Sequence, residues 1–117
     1  MTPIAIPQIT PINKADGGVM MDRKNLDALT ERIIGIAMRM HNKLGLGFVE
    51  KIYERAMAHE FKLNNIKYLE QAEIKVAYDT VELGYQRVDF LVEDAVIIEL
   101  KCVSELTNIH AAQMFRI

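Results

Sequence analysis

Three charged side chains stand where a buried strand should carry none. Asp89 lies inside the apolar run 88–92, and Glu99 and Lys101 interrupt the end of a second run, 96–100. Desolvating an unpaired carboxylate is costly, so ionised groups in such strands require partners or a bound ion. Glu99 and Lys101 are two residues apart and therefore project from one face of their strand. Asp89 joins them in only one register. A three-residue turn at Glu93, Asp94 and Ala95 that pairs Val92 with Val96 sets Asp89 opposite Glu99, with Cα atoms about 4.5 to 5.5 Å apart. A two-residue turn at Glu93 and Asp94 would set Asp89 opposite Ile98 instead, on the wrong face.

Two carboxylates side by side repel unless a cation lies between them. A hard divalent ion such as Mg2+ takes oxygen ligands and keeps several waters, so Asp89, Glu99 and a strand carbonyl form half a coordination shell with room for a substrate phosphate. Such an ion activates a bound water and polarises a phosphoryl oxygen. Lys101, at the edge of the site, is placed to orient the attacking water or to neutralise charge that builds on phosphorus. The same residues also read as a structural ion pair of Lys101 with Glu99 or Asp89 at an exposed sheet edge. Glu50 is a fourth acid, three residues before Tyr53 and next to Ile52 and Ala56, which puts it beside the inward face of a helix. An acid in the first turn of a helix is equally at home there for the helix dipole alone.

Elements that could position these groups follow from periodicity. Leu26, Leu29, Ile33, Ala37, Met40 and Leu44 recur at steps of three and four, the stripe of a helix from about 25 to 44 that Gly45 stops. After Gly47 a second helix is predicted over 48–63, with Val49, Ile52, Tyr53 and Ala56 inward and Asn64-Asn65 ending it. Alternation then predicts strands at 74–78 and 81–85 around an Asp79-Thr80 turn, followed by the runs 88–92 and 96–100. Ile109, Ala112, Gln113 and Phe115 hint at a last helix. The order describes an α/β protein: two helices, antiparallel strands and a short final helix packed on the sheet.

The composition bounds the class. The chain of 117 residues, 50% hydrophobic and 26% charged, suits one domain with one core. No apolar run approaches the roughly 18 residues of a membrane span, nothing marks the start for secretion, and the expected location is the cytoplasm. A net charge of −2 is not the basic surplus of proteins that hold nucleic acid by charge alone, so such contact must be local or metal-assisted. Cys102, the single cysteine, supports neither an internal disulfide nor a cysteine-rich metal site. Residues 1–24 read as a flexible arm, because Pro3, Pro7 and Pro11 remove backbone donors and Asp16-Gly17-Gly18 follows. Residues 25–117 read as the folded domain.

The residues Gly47-Phe48-Val49-Glu50-Lys51-Ile52-Tyr53 match Gly-x-x-Glu-x-x-Tyr, Asp89 stands in Arg87-Val88-Asp89-Phe90-Leu91-Val92, and Ile98-Glu99-Leu100-Lys101 supplies Glu-x-Lys. His110 and Gln113 add His-x-x-Gln on the final helix. With these the chain resembles the GxxExxY family, an offshoot of the PD-(D/E)XK nuclease superfamily, over about residues 26–117. The resemblance implies a restriction-endonuclease-like core and a metal-dependent nuclease that hydrolyses phosphodiesters in nucleic acid, DNA ahead of RNA. It implies Mg2+ or Mn2+ held by Asp89 and Glu99 with Glu50 completing the site, and Lys101 assisting hydrolysis. Tyr53, His110 and Gln113 are further candidates.

The family pattern continues into a strand that lies parallel beside the Glu-x-Lys strand, whereas this sequence stops at Ile117. The domain is therefore expected to be short at its C-terminal end and to leave an apolar sheet edge open. A homodimer through that edge, or through the final helix, is the expected remedy. The same shortening and the mildly acidic charge favour the rival reading, a catalytically idle nuclease-fold domain used for protein-protein assembly.

Overall fold

The computed structural model describes residues 4–12, 21–45 and 47–103. The chain runs β1 (Ile4–Pro11), α1 (Arg23–Leu44), α2 (Glu50–Leu63), β2 (Tyr68–Tyr78), β3 (Val81–Val92) and β4 (Val96–Val103). Every strand pair is antiparallel, and the sheet order is β1-β4-β3-β2. This is a mixed α/β fold consistent with a PD-(D/E)XK nuclease-like core. The expected last helix, with His110 and Gln113, lies outside the described residues. No helix among the described residues is long and apolar enough to cross a membrane.

Local chemistry sets the helix ends. Asp22 caps α1 by accepting the Asn25 N–H at 2.8 Å, and Gly45, with φ 81°, ends it by donating to the His41 carbonyl at 2.9 Å. Between the helices the backbone turns through positive φ at Gly45 and Gly47, a conformation that glycine adopts without strain. The helix α2 starts at Glu50 rather than at Phe48. Its buried face is consequently Tyr53, Met57 and Phe61, spaced four apart, while Val49 and Ile52 are exposed. The predicted inward placement of Val49 and Ile52 is thus corrected by the later start. Against Phe61 the rings of Tyr68 and Phe90 pack at 5.4 and 5.3 Å, joining α2 to β2 and β3.

The core lies on one face of the sheet. Leu29, Ile33, Ile36 and Met40 of α1 meet the buried residues of α2 and the inward positions Val96, Ile98 and Leu100 of β4. The turn between β3 and β4 has the three-residue form that the acids require: Val92 pairs with Val96, Leu91 with Ile97 and Phe90 with Ile98. The two runs expected at 81–85 and 88–92 are one strand, β3, continuous through Gly84. On the other side, β2 begins at Tyr68, earlier than the alternation suggested.

The N-terminal segment corrects the expected flexible arm. Residues 4–11 form a strand paired along the whole of β4, from Ile4 opposite Val103 to Pro11 opposite Val96. Ile12 then donates its N–H to the Ala95 carbonyl at 2.8 Å. In an antiparallel ladder alternate residues turn their polar groups to alternate sides, so the even-numbered residues of β1 bond to β4 and the odd-numbered ones face away. Pro7 and Pro11 are odd-numbered, and their missing N–H groups cost the ladder nothing. The side chains of Pro7 and Ile9 are buried with the core. The sheet edge that a second copy was expected to cover is therefore covered by β1, which removes the ground for a dimer through that edge. Amide hydrogen exchange in dilute solution should show Gln8, Thr10 and Ile12 protected and Ile9 exchanging faster, and uniformly fast exchange across 4–12 would contradict the pairing.

Candidate functional site

Asp89 sits where the β3–β4 ladder ends. Beyond Phe90 and Ile98 the backbone pairing stops, and the Leu100 N–H donates to Asp89 Oδ2 at 2.7 Å. A side-chain carboxylate thus takes the amide that a neighbouring backbone carbonyl would otherwise accept. Opposite Asp89 on β2 stands Gln71, between the pairs Glu70–Phe90 and Ala72–Val88, with φ 51°. That left-handed residue breaks the strand's alternation. Before it Tyr68, with Phe90 and Val92 of β3, packs toward the helices. After it, Ile74 and Val76 of β2 and Gln86 and Val88 of β3 line a cleft of about 240 Å³ with Ile97 and Glu99, and Gln8 and Thr10 of β1 complete it. No helix residue lines this cleft, so the distal half of the β2–β3 hairpin belongs to the outer face of the sheet.

On the helix side a second cleft, about 200 Å³, is lined by Glu50, Lys51, Glu54, Gln71, Asp89 and Leu100. The structure therefore puts Asp89 and Glu50 on one cleft. Glu99 is not with them. It opens on the outer cleft, where its Oε1 accepts from Gln86 Nε2 at 3.3 Å. Strand alternation puts the exposed Lys101 on the same outer face as Glu99. The predicted register holds, yet the predicted sharing of a face by Asp89 and Glu99 does not, because the irregularity at Gln71 and Asp89 turns Asp89 to the helix side.

Glu54, which none of the motifs contains, is the most buried acid in the inner cleft. It is 4% exposed, and its two oxygens accept from Lys51 Nζ at 2.8 Å and from Gln71 Nε2. The same Gln71 amide lies 3.4 Å from Asp89 Oδ1, so one NH2 group spans both carboxylates. Burial of Glu54 is tolerable because both oxygens are satisfied and one partner is cationic. Its position one turn after Glu50 was the available signal. Three carboxylates and one ammonium line this cleft. Among the described residues, however, no three His, Cys, Asp or Glu side chains converge on a point where an ion could sit. With one Asp89 oxygen on the Leu100 amide and Glu99 on the other face, the residues do not fit a divalent cation in this arrangement.

Tyr53, named above as a further candidate, holds backbone in this structure. It is fully buried, and its hydroxyl donates to the Gly45 carbonyl at 2.7 Å. His41 stacks on its ring at 5.3 Å, and Phe48 meets it edge-on at 6.2 Å. The tyrosine ties the turn that starts α2 and so fixes where Glu50 emerges. Tyr53→Phe should lower stability by about 1 kcal/mol, the usual net worth of one such hydrogen bond. Urea denaturation measures it, and an unchanged midpoint would show that the turn holds without the bond.

Comparison with known proteins bears on the whole domain. Searches of curated proteins and of solved structures give no significant match. A family profile described as PD-(D/E)XK nuclease superfamily matches residues 27–116, which is most of the chain, most of α1 and every element from α2 to β4. Its members are generally dependent on divalent metal and act on nucleic acid. With that extent of match, and with the two-helix, four-strand architecture behind it, the chain belongs to the PD-(D/E)XK nuclease superfamily.

Proposed function

We propose that this domain is a metal-dependent nuclease that hydrolyses phosphodiesters in nucleic acid, DNA ahead of RNA, with Mg2+ or Mn2+ as cofactor. The observation that carries the reading is that Glu50 shares a cleft with Asp89, while the β3–β4 pairing runs to Phe90 and Ile98, one residue short of Asp89 and Glu99. Gly47, Glu50 and Tyr53 support placement in the GxxExxY group, since the tyrosine holds the turn from which the glutamate leaves. Lys101 is the proposed cation beside the scissile phosphate, and it shares a strand face with Glu99. The reading asks Asp89, Glu99 and Glu50 to share an ion, a requirement that this arrangement of β3 and β4 leaves unmet.

That unmet requirement favours a second reading, an idle nuclease-fold domain serving protein-protein assembly. Labelled single- and double-stranded DNA and RNA, incubated with Mg2+ or Mn2+, separate the two. Nuclease function predicts cleavage that falls at least about a hundredfold in Asp89→Asn, in Glu99→Gln and in Lys101→Ala, the scale on which loss of transition-state charge stabilisation acts. Calorimetric titration with either ion should show binding that needs Asp89 and Glu99. Absence of both cleavage and binding would leave the idle scaffold as the function.

A further inference from the structure

The two outer edges of the sheet are built differently. On β1 the odd-numbered residues face away from β4, and Pro7 and Pro11 among them carry no N–H, so that edge offers a broken row of donors. The edge at β2 has no proline in its 11 residues, and among the described residues its second side pairs with no strand. Two irregularities bound its regular part: the positive φ of Gln71 and the register shift between Val76 and Ala77. Between them runs Ala72-Glu73-Ile74-Lys75-Val76. Ile74 and Val76 line the outer cleft, so alternation puts Ala72, Ile74 and Val76 on the outer face and Glu73 and Lys75 on the opposite one. There Glu73 lies 3.9 Å from Arg87 and Lys75 lies 3.2 Å from Glu82, with all four side chains exposed.

This segment is complementary to itself. Laid antiparallel against a second copy with Ile74 on the two-fold axis, it sets Glu73 opposite the partner's Lys75, Ala72 opposite the partner's Val76 and Ile74 opposite the partner's Ile74. Arg87, Glu73, the partner's Lys75 and the partner's Glu82 then make a row of alternating charge across four strands, and symmetry repeats the row in reverse. A slip of one residue sets charged positions against apolar ones. A slip of two puts Glu73 or Lys75 on the axis, opposite its own like charge.

We propose that β2 is a self-association edge, at which two copies of the chain pair through residues 72–76 in antiparallel register about Ile74 and join their sheets into one. The occupant is a second copy because the order of charges along the edge is the one that its own reversal requires. None of the five residues belongs to the candidate catalytic set, so the edge serves a nuclease and an assembly domain alike.

Charge reversal in the full chain tests the register. At micromolar concentration the wild type should sediment as a dimer of the 13.4 kDa chain. Glu73→Lys sets Lys against Lys in both symmetric rows, and Lys75→Glu sets Glu against Glu, so each variant should self-associate at least about tenfold more weakly. Mixed one to one, the two variants complement each other in both rows, and the dimer should return as a mixed pair. Each variant gives up one exposed intrachain ion pair, which carries little stability. Should either fail to fold, hydrogen exchange on the unaltered chain decides: amides within 72–76 should slow as protein concentration rises. A wild type that remains monomeric, variants that associate as tightly as the wild type, a mixture that does not recover the dimer, or exchange at 72–76 that ignores concentration would overturn the proposal.

Discussion

The bond between the Leu100 amide and the Asp89 carboxylate, 2.7 Å long, stands in for a rung of the sheet. A backbone N–H in a half-buried strand must be satisfied, and here a side chain does so at the point where β3 leaves β4. Once that substitution is made the neighbouring strand need not stay in plane. Gln71 takes its left-handed backbone directly across from Asp89, and the hairpin crosses from the helix side to the outer face. Two clefts follow from the crossing, one beneath α2 and one between the hairpin and β1. The distribution of the acids between them is a consequence of that one bond and its partner residue.

Around this point the molecule spends polar contacts freely. Gln71 ties Asp89 to Glu54, Glu54 reaches Lys51, and Arg39 lies 3.4 Å from the buried Glu60 further along α2. Among the described residues each buried carboxylate has a donor, which offsets its desolvation. The helix pair is held independently by Tyr53 on Gly45 and by the aromatic cluster of Phe61, Tyr68 and Phe90. The inner cleft is therefore walled on one side by a rigid helix start and on the other by a strand junction whose geometry depends on a few side-chain bonds.

Much of this frame was legible in the residues. The α1 stripe declared itself by period, and the Glu93-Asp94-Ala95 turn set the β3–β4 register because both possible turn lengths made distinct claims about Asp89. What stayed hidden was non-local. Gln71 carries no sequence mark of a positive φ, as a glycine would, so the face switch could not be read from alternation. Glu54 looked like one more polar residue on a helix until β2 arrived above it. The N-terminal strand was masked by its prolines, which argue against a strand when taken singly. Their spacing of four keeps Pro7 and Pro11 on one parity, and a strand that bonds on one side only can carry them.

The pairing of the first strand with the last also orders events in time. Partners in the β1–β4 ladder are roughly ninety residues apart along the chain, which gives the sheet a high contact order, whereas α1, α2 and the β2–β3–β4 meander are joined by short connections. The entropy of closing so long a loop is recovered only when β4 already exists as a template. During synthesis the N-terminal strand emerges first and has nothing to pair with until residues 96–103 have left the ribosome. Of the four described strands, the one made first is the one that must wait longest, and the β4 edge stays open to other strands until it docks.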